Sequence, residues 1–422
     1  MKALWIVNIC CGALHQKLYG KKSMNGQWLD AMLEEAASHK DDHVVVVNVG
    51  ENPQQTPYRC ENVTYYTLPG ERSPNYDYTS SKSIYTWKQI FEKEKPDALV
   101  IWGTEFPFAL AAMQAFPDVP SVVYVQGILD SIAKYYLSGL TARELKQAIT
   151  FRDVLKRETI RQTQRQFEKR SRYEQEIICR AKHIIVENQW AEAYYQKTLS
   201  SVQVHKLPLS ISQSFHNHVW TEENMQPYTI MCPAANYPIK GLHMLLKALA
   251  IVKETYPAVR LYIPGTVLKN PTSLKSKLKQ NGYDRLIRRM LAELGLEKHV
   301  FYTGRLTADE MAQKMAEVNC FVMCSAIENH SSTLKEAMTV GTPCVASYVG
   351  GVPEYATHGE NCLLYRFEDY EVLAQHICRM FAQKEERAHL SQTASQQMRQ
   401  AKPESDYEGM LRILEKVTEG KR

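Results

Sequence analysis

Two carboxylates, Glu328 and Glu336, stand with seven residues between them in "CSAIENHSSTLKEAMTVGTPCVAS", residues 324–347. Asn329, Ser331, Ser332 and Thr333 lie between the two, and the strand-like run "CFVM" precedes them. One carboxylate is thus expected just before a helix and the other inside its first turn. A helix start lined with small polar residues is an anion site, because its N–H groups lack internal partners and the dipole is positive there. A carboxylate just upstream repels phosphate but accepts hydrogen bonds from sugar hydroxyls. A purely structural account competes. Thr333-Leu334-Lys335-Glu336 fits a capping box, with Gly341 as the C-terminal cap and Pro343 as the stop. It covers Glu336 and leaves Glu328 and the hydroxyl cluster unexplained.

Other residues that could do chemistry sit at the ends of apolar runs: Glu105 in "GTEFPF", Gln126 in "YVQGIL" and Lys240 in "ANYPIKGLHMLLKAL". Asn25 and Gly26 open a helical pattern after the first run. Glu105 either orients a hydroxyl or caps the helix that follows it. No Asp-x-Asp triplet occurs, and the 13 histidines show no ligand spacing. No bound metal and no cofactor are therefore expected. Ten cysteines without a C-x-x-C pair point to reduced, mostly buried thiols in a cytoplasm.

These residues need a scaffold, and the apolar runs supply it. "LWIVNI", "HVVVVNVG", "ALVIWG", "SVVYVQG" and "HIIVEN" read as buried parallel strands, with helical patterns between several of them. A second series begins near 228 with "YTIMCP" and continues through "VRLYIPG", "HVFYTG", "CFVMCS", "PCVAS" and "NCLLY". The stretch 140–182 reads as one or two long charged helices. At 422 residues the chain exceeds one ordinary core. The expected fold is α/β, with two Rossmann-like doubly wound parallel-sheet domains facing across a cleft. The expected domains are 1–208 and 209–400, with a helix in 401–422 returning to the first. The N-terminus reads as a first buried strand rather than a signal peptide, and no run reaches the roughly 18 apolar residues of a membrane span.

Glu328, Glu336 and the following "EAMTVGTPCVASYVGGVPEY" resemble the donor pocket of glycosyltransferase family 4. The match is at Glu328, Glu336, Ala337, Met338, Gly341, Pro343, Gly350, Gly351 and Glu354. The family's usual E-G-F-G is replaced by Glu328-Asn329-His330-Ser331-Ser332, which is similar to a bacterial branch. The resemblance implies a GT-B fold and a retaining, metal-independent transfer of a hexose-type sugar from a nucleotide-diphosphate sugar. The implied acceptor is a glycan or lipid-linked acceptor of polysaccharide or glycolipid biosynthesis. It also implies roles. Glu328 contacts sugar hydroxyls, Glu336 binds the ribose, and Asn329 and Ser331 to Thr333 face sugar and phosphate. Lys240 neutralises the diphosphate. A second cation expected five residues earlier is Ala235 here, with Arg305 as the candidate replacement. Gln126 stands where many relatives have a histidine, so a general base there is disfavoured. Gly26 and Asn25 approach the donor diphosphate or the acceptor, and Glu105 faces the acceptor.

Net charge is only +5, so nucleic acid is not an expected partner. Residues 143–180 hold eleven Lys/Arg against six Asp/Glu, and 269–290 hold seven against one. Those two segments offer peripheral contact with anionic lipid at the inner face of the cell membrane. Two rival readings stand beside the transferase: a non-catalytic nucleotide-sugar-binding protein, and a nucleotide-sugar epimerase.

Overall fold

The computed structural model describes every residue except 21–25, 51–55, 71–74, 200, 234–236, 266, 269–272, 274–277, 401–403 and 420–422. The chain divides into two compact units. The first comprises Met1–Asp130, Gln166–Ser210 and Lys402–Arg422; the second comprises Ser131–Arg165 and Ile211–Ala401. Residues 131–165, assigned to the first domain from the sequence, therefore belong with the second unit.

The first unit carries eight strands: β1 (Lys2–Val7), β2 (His43–Gly50), β3 (Tyr58–Cys60), β4 (Val63–Pro69), β5 (Ala98–Trp102), β6 (Ser121–Tyr124), β7 (Lys182–Val186) and β8 (Gln203–Lys206). Their order is β3-β4-β2-β1-β5-β6-β7-β8, and only β3 runs antiparallel to its neighbour. Both faces are covered. Leu4 and Ile6 of β1 enter one core, and Ala3, Trp5 and Val7 enter the other. Such two-sided burial is why these strands read as continuous apolar runs. The helix Asp406–Glu419 closes one face, with Tyr407 6.4 Å from Trp5. β3, β4 and β8 go beyond the sequence expectation; β8, "QVHK", has no apolar run to announce it.

The second unit carries β9 (Gln226–Met231), β10 (Arg260–Pro264), β11 (Val300–Gly304), β12 (Val318–Met323), β13 (Cys344–Ser347) and β14 (Leu363–Tyr365). Their order is β11-β10-β9-β12-β13-β14, with every pairing parallel. In both sheets the strand order reverses beside the first strand: between β1 and β5, and between β9 and β12. Open parallel sheets bind ligands beyond the strand ends at that reversal.

The stretch 140–182 forms three helices, Ala142–Gln147, Phe151–Lys156 and Ile160–Ala181, rather than one or two. Local chemistry divides them. Thr141 and Thr150 cap the first two, and Arg157 ends the second in a left-handed conformation (φ 57°). Within the second unit, Asp153 accepts a 2.6 Å hydrogen bond from the Gly282 N–H, and Lys247 pairs with Glu144 at 2.8 Å. His243 is sealed between the Ser138 carbonyl (2.7 Å) and the Tyr283 hydroxyl (2.9 Å). Burial pushes its pKa down to about 4, so the neutral ring donates from Nε2 and accepts at Nδ1.

Candidate functional site

At the β9/β12 reversal, the segment after β9 ends in a 3₁₀ turn, Pro238–Lys240, closed by Gly241 at φ 72°. A Cβ on Gly241 would stand 1.6 Å from the Cys324 carbonyl, so only glycine lets this turn approach the end of β12. The approach brings Lys240 Nζ to 2.5 Å from Glu328 Oε1. The Ser325 hydroxyl donates to the same oxygen, also at 2.5 Å. Burial alone would lower the Lys240 pKa; the Glu328 carboxylate outweighs it and holds the ammonium above the usual lysine value.

Glu328 is fixed from below by the glycine pair. Its carbonyl accepts from the Gly351 N–H at 3.1 Å, and a Cβ on Gly350 (φ 51°) would lie 1.9 Å from that carbonyl oxygen. Gly350 and Gly351 therefore shape the loop that presents Glu328.

The helix beyond runs Ser332–Val340 with Ser331 as its N-cap, and no side chain caps it. The capping-box reading of Thr333 and Glu336 is thus incorrect. The helix starts earlier, which leaves Glu336 more than one turn inside it and too far along to close on the cap. Its half-buried carboxylate accepts no hydrogen bond among the described residues. Burial raises its pKa to about 7. Asn329 and Ser331 are buried, Thr333 is half-buried and Ser332 exposed. Gly341 caps the C-terminus at φ 85°, as expected. Beneath the site, Cys232 and Cys324 stand 3.6 Å apart sulfur to sulfur at the ends of β9 and β12. That neighbouring is invisible in a sequence where they lie far apart.

Arg305 follows the edge strand β11, separated from β12 by β10 and β9. Its exposed side chain makes no hydrogen bond or ion pair among the described residues. Asn25 and Ala235 lie outside the described residues.

The first unit has its own group at the β1/β5 reversal. Asn8, just past β1, donates to Glu105, just past β5. The following helix, Phe108–Ala115, has Pro107 at its N-cap position and no side chain capping it, so Glu105 is not its cap. Burial raises the Glu105 pKa against the pull of Arg170. Gln126 stands exposed just beyond β6, and Gly26 precedes the helix Gln27–Ser38. Glu174, which the sequence reading did not single out, accepts from the Thr104 hydroxyl (2.6 Å) and the Leu129 N–H (3.1 Å). Burial pushes its pKa up to about 8. No signal in the sequence sets it apart, because Glu174 and Glu176 both lie between Tyr173 and "IIC".

Among the described residues no group of His, Cys, Asp and Glu is placed to hold a metal ion. No helix is long and apolar enough to cross a membrane.

Residues 214–397 match the family described as Glycosyl transferases group 1. This bears out the resemblance read from the Glu328–Glu354 segment. An MMP α-(1→4)-mannosyltransferase of Mycolicibacterium hassiacum is 29% identical over 164 residues, 39% of this chain and 36% of that protein. N-acetyl-α-D-glucosaminyl L-malate synthase of Bacillus anthracis is 28% identical over 126 residues, 29% of this chain and 32% of its own. The chain thus spans about a third of the length of these curated relatives. Among solved structures, sucrose-phosphate synthase of Thermosynechococcus elongatus superposes with a TM-score of 0.72 at 16% identity, over 99% of both chains. HepE of Anabaena, solved with UDP and glucose, gives 0.66 at 16% identity, over 99% of this chain and all of its own. The fold is GT-B.

Proposed function

We propose that this protein is a retaining glycosyltransferase that moves a hexose-type sugar from a nucleotide-diphosphate sugar to a glycan or lipid-linked acceptor. The observation that carries the reading is the constellation of Lys240, Glu328 and Glu336 at the β9/β12 reversal. Lys240 has three N–H donors and spends one on Glu328. The other two are available to diphosphate oxygens, so the lysine bridges a sugar-binding carboxylate and the leaving group. Glu336, without a partner among the described residues, offers the two acceptors that a ribose diol needs. The N–H groups at the start of the helix Ser332–Val340 meet phosphate charge in the same place. The names of the relatives, which include sugar transferases, and the UDP and glucose held by HepE support a nucleotide-sugar donor.

In this reading developing charge on the leaving diphosphate is met by Lys240 and backbone N–H groups, without a metal. No side chain of the second-unit site is set as a nucleophile, so the acceptor attacks from the face the diphosphate leaves. The departing phosphate then takes the acceptor proton. A trapped glycosyl–enzyme adduct would overturn that step.

The test is the melting temperature against UDP-, GDP-, CMP- and TDP-sugars with a chelator present. A donor at 100 times its dissociation constant stabilises by about 2.7 kcal/mol. A shift from one donor that Glu336→Ala abolishes supports the pocket. No shift from any donor removes it. Turnover without acceptor would indicate an epimerase, and binding without any turnover a non-catalytic receptor.

A further inference from the structure

We infer that the short helix Phe151–Lys156 is the centre of a docking surface that seats the second unit on an anionic lipid bilayer. The helix is inside out. Its aspartate is buried, with Asp153 2% exposed and held by the Gly282 N–H. Its apolar side chains point to water: Phe151 is 70% exposed, Val154 54% and Leu155 72%, and Ile149 just before it 46%. Positions 151, 154 and 155 share one helical face. A soluble helix packs that face inward and leaves its acid outside. Here the buried acid ties the element down while the apolar face is presented.

Charge selects the occupant. Residues 131–165 contain eight Lys/Arg and three Asp/Glu. All three acids are engaged within the unit: Glu144 with Lys247, and Asp153 and Glu158 with Arg152. Lys146 and Lys156 stay exposed beside the apolar face. Arg285 of the second basic segment reaches the first, donating to the Ile149 carbonyl at 3.1 Å. Cations far apart in sequence thus meet at Ile149, next to the helix that carries Phe151 and Leu155. A second copy of this chain would bring the same positive charge against itself. An anionic bilayer complements both features at once: headgroups meet the Lys/Arg, and the rings and branched chains enter the acyl boundary. The inference does not depend on the sugar-transfer reading.

The full-length protein is sedimented with phosphatidylcholine vesicles and with vesicles that also contain phosphatidylglycerol. The wild type is expected to bind the anionic vesicles, and added salt is expected to weaken that binding. The double variant Phe151→Ser/Leu155→Ser is expected to lose about tenfold in binding. Lys146→Glu/Lys156→Glu should abolish the preference for anionic vesicles. Because these side chains are exposed, both variants should melt like the wild type and keep any donor-induced shift. A Phe151→Trp probe should shift to shorter emission wavelength on adding anionic vesicles. Failure of the wild type to bind them, or undiminished binding by the apolar double variant, overturns the inference. A concentration-dependent dimer that the same double variant abolishes assigns the face to a second copy and also overturns it.

Discussion

At the β9/β12 reversal the Glu328 carboxylate meets an ammonium; at the β1/β5 reversal Glu105 and Glu174 meet hydroxyl, amide and backbone N–H donors. Both sheets are doubly wound, and both put acids just past the strand ends. Just past the strand ends the electrostatic outcome is opposite, although burial raises the pKa of Glu336, farther into the second unit's helix, as it raises those of the first unit's acids. In the second unit a lysine stands against the carboxylate at 2.5 Å, and its ammonium is held above the usual lysine value. In the first, burial exceeds the help from neutral donors and, at Glu105, from Arg170, and the acids are driven toward the protonated form. Equivalent positions in one architecture are thus specialised by what the neighbouring loop brings. The second unit's strand end suits charge handling, and the first unit's suits neutral hydrogen bonding to hydroxyls.

Removing the compensating charge is the most direct way to break this contrast. Lys240→Ala should cut turnover by about 10²–10³-fold, the usual size for losing a charge-stabilising donor. It should also cost about 1–3 kcal/mol of stability, because Glu328 is left with Ser325 alone. Adding Glu328→Gln should restore stability to within about 1 kcal/mol without restoring turnover, since no buried charge then lacks a partner. Urea midpoints and steady-state rates read both. Full turnover in Lys240→Ala would remove the lysine from the chemistry.

The scaffold beneath Glu328 comes next. Gly350→Ala should destabilise by about 2–4 kcal/mol, through a positive φ and a collision with the Glu328 carbonyl. It should weaken donor binding too. Gly359→Ala has the same backbone problem (φ 79°) with open space around it, and should cost only about 1 kcal/mol. Equal costs at the two positions would mean that steric contact with the Glu328 loop is unimportant.

A third, smaller effect is donor affinity at Glu336. The burial that lifts its pKa to about 7 makes its charge sensitive to modest changes of pH. The ionised form supplies both ribose acceptors, so affinity should fall as pH drops through 7. Glu336→Gln should bind about tenfold more weakly at alkaline pH and show no such step. Calorimetric titration about one pH unit either side of 7 distinguishes them. Without donor the sign reverses. A raised carboxyl pKa stabilises the fold at acid pH, and that contribution fades as pH rises through 7.

The alternating strands, their two series and the Glu328–Glu354 motif were legible because each is local: an apolar run, a fixed spacing, a glycine pair. Three things were not. The start of the helix at Ser332 competes with the equally good cap at Thr333, and the geometry of the loop decides between them. The packing of residues 131–165 with the second unit depends on single long-range bonds such as Asp153 to Gly282, which no periodicity encodes. The three-way division of 140–182 was encoded, in T-x-x-E at Thr141 and T-x-x-D at Thr150, but a continuous run of charge masks both. Glu174 is hidden for the same reason, as one acid among many on the charged helix Ile160–Ala181.

Glu174 also gives the smallest and sharpest test of the contrast. With its pKa near 8 it is mostly protonated at neutral pH. The isosteric Glu174→Gln keeps an oxygen for the Leu129 N–H and places an amide beside the Thr104 hydroxyl, so it should cost less than about 1 kcal/mol at pH 7. The difference lies in the slope. In the wild type the folded state binds a proton that the unfolded chain has released above its ordinary carboxyl value, 4.5. Stability from this group is therefore full below that value, declines as pH rises, and is gone once pH passes about 8. The variant has no proton to lose there and should melt at a temperature less dependent on pH across that window. Were the wild type and variant profiles parallel, Glu174 would be ionised throughout. The contrast between the two strand ends would then lapse.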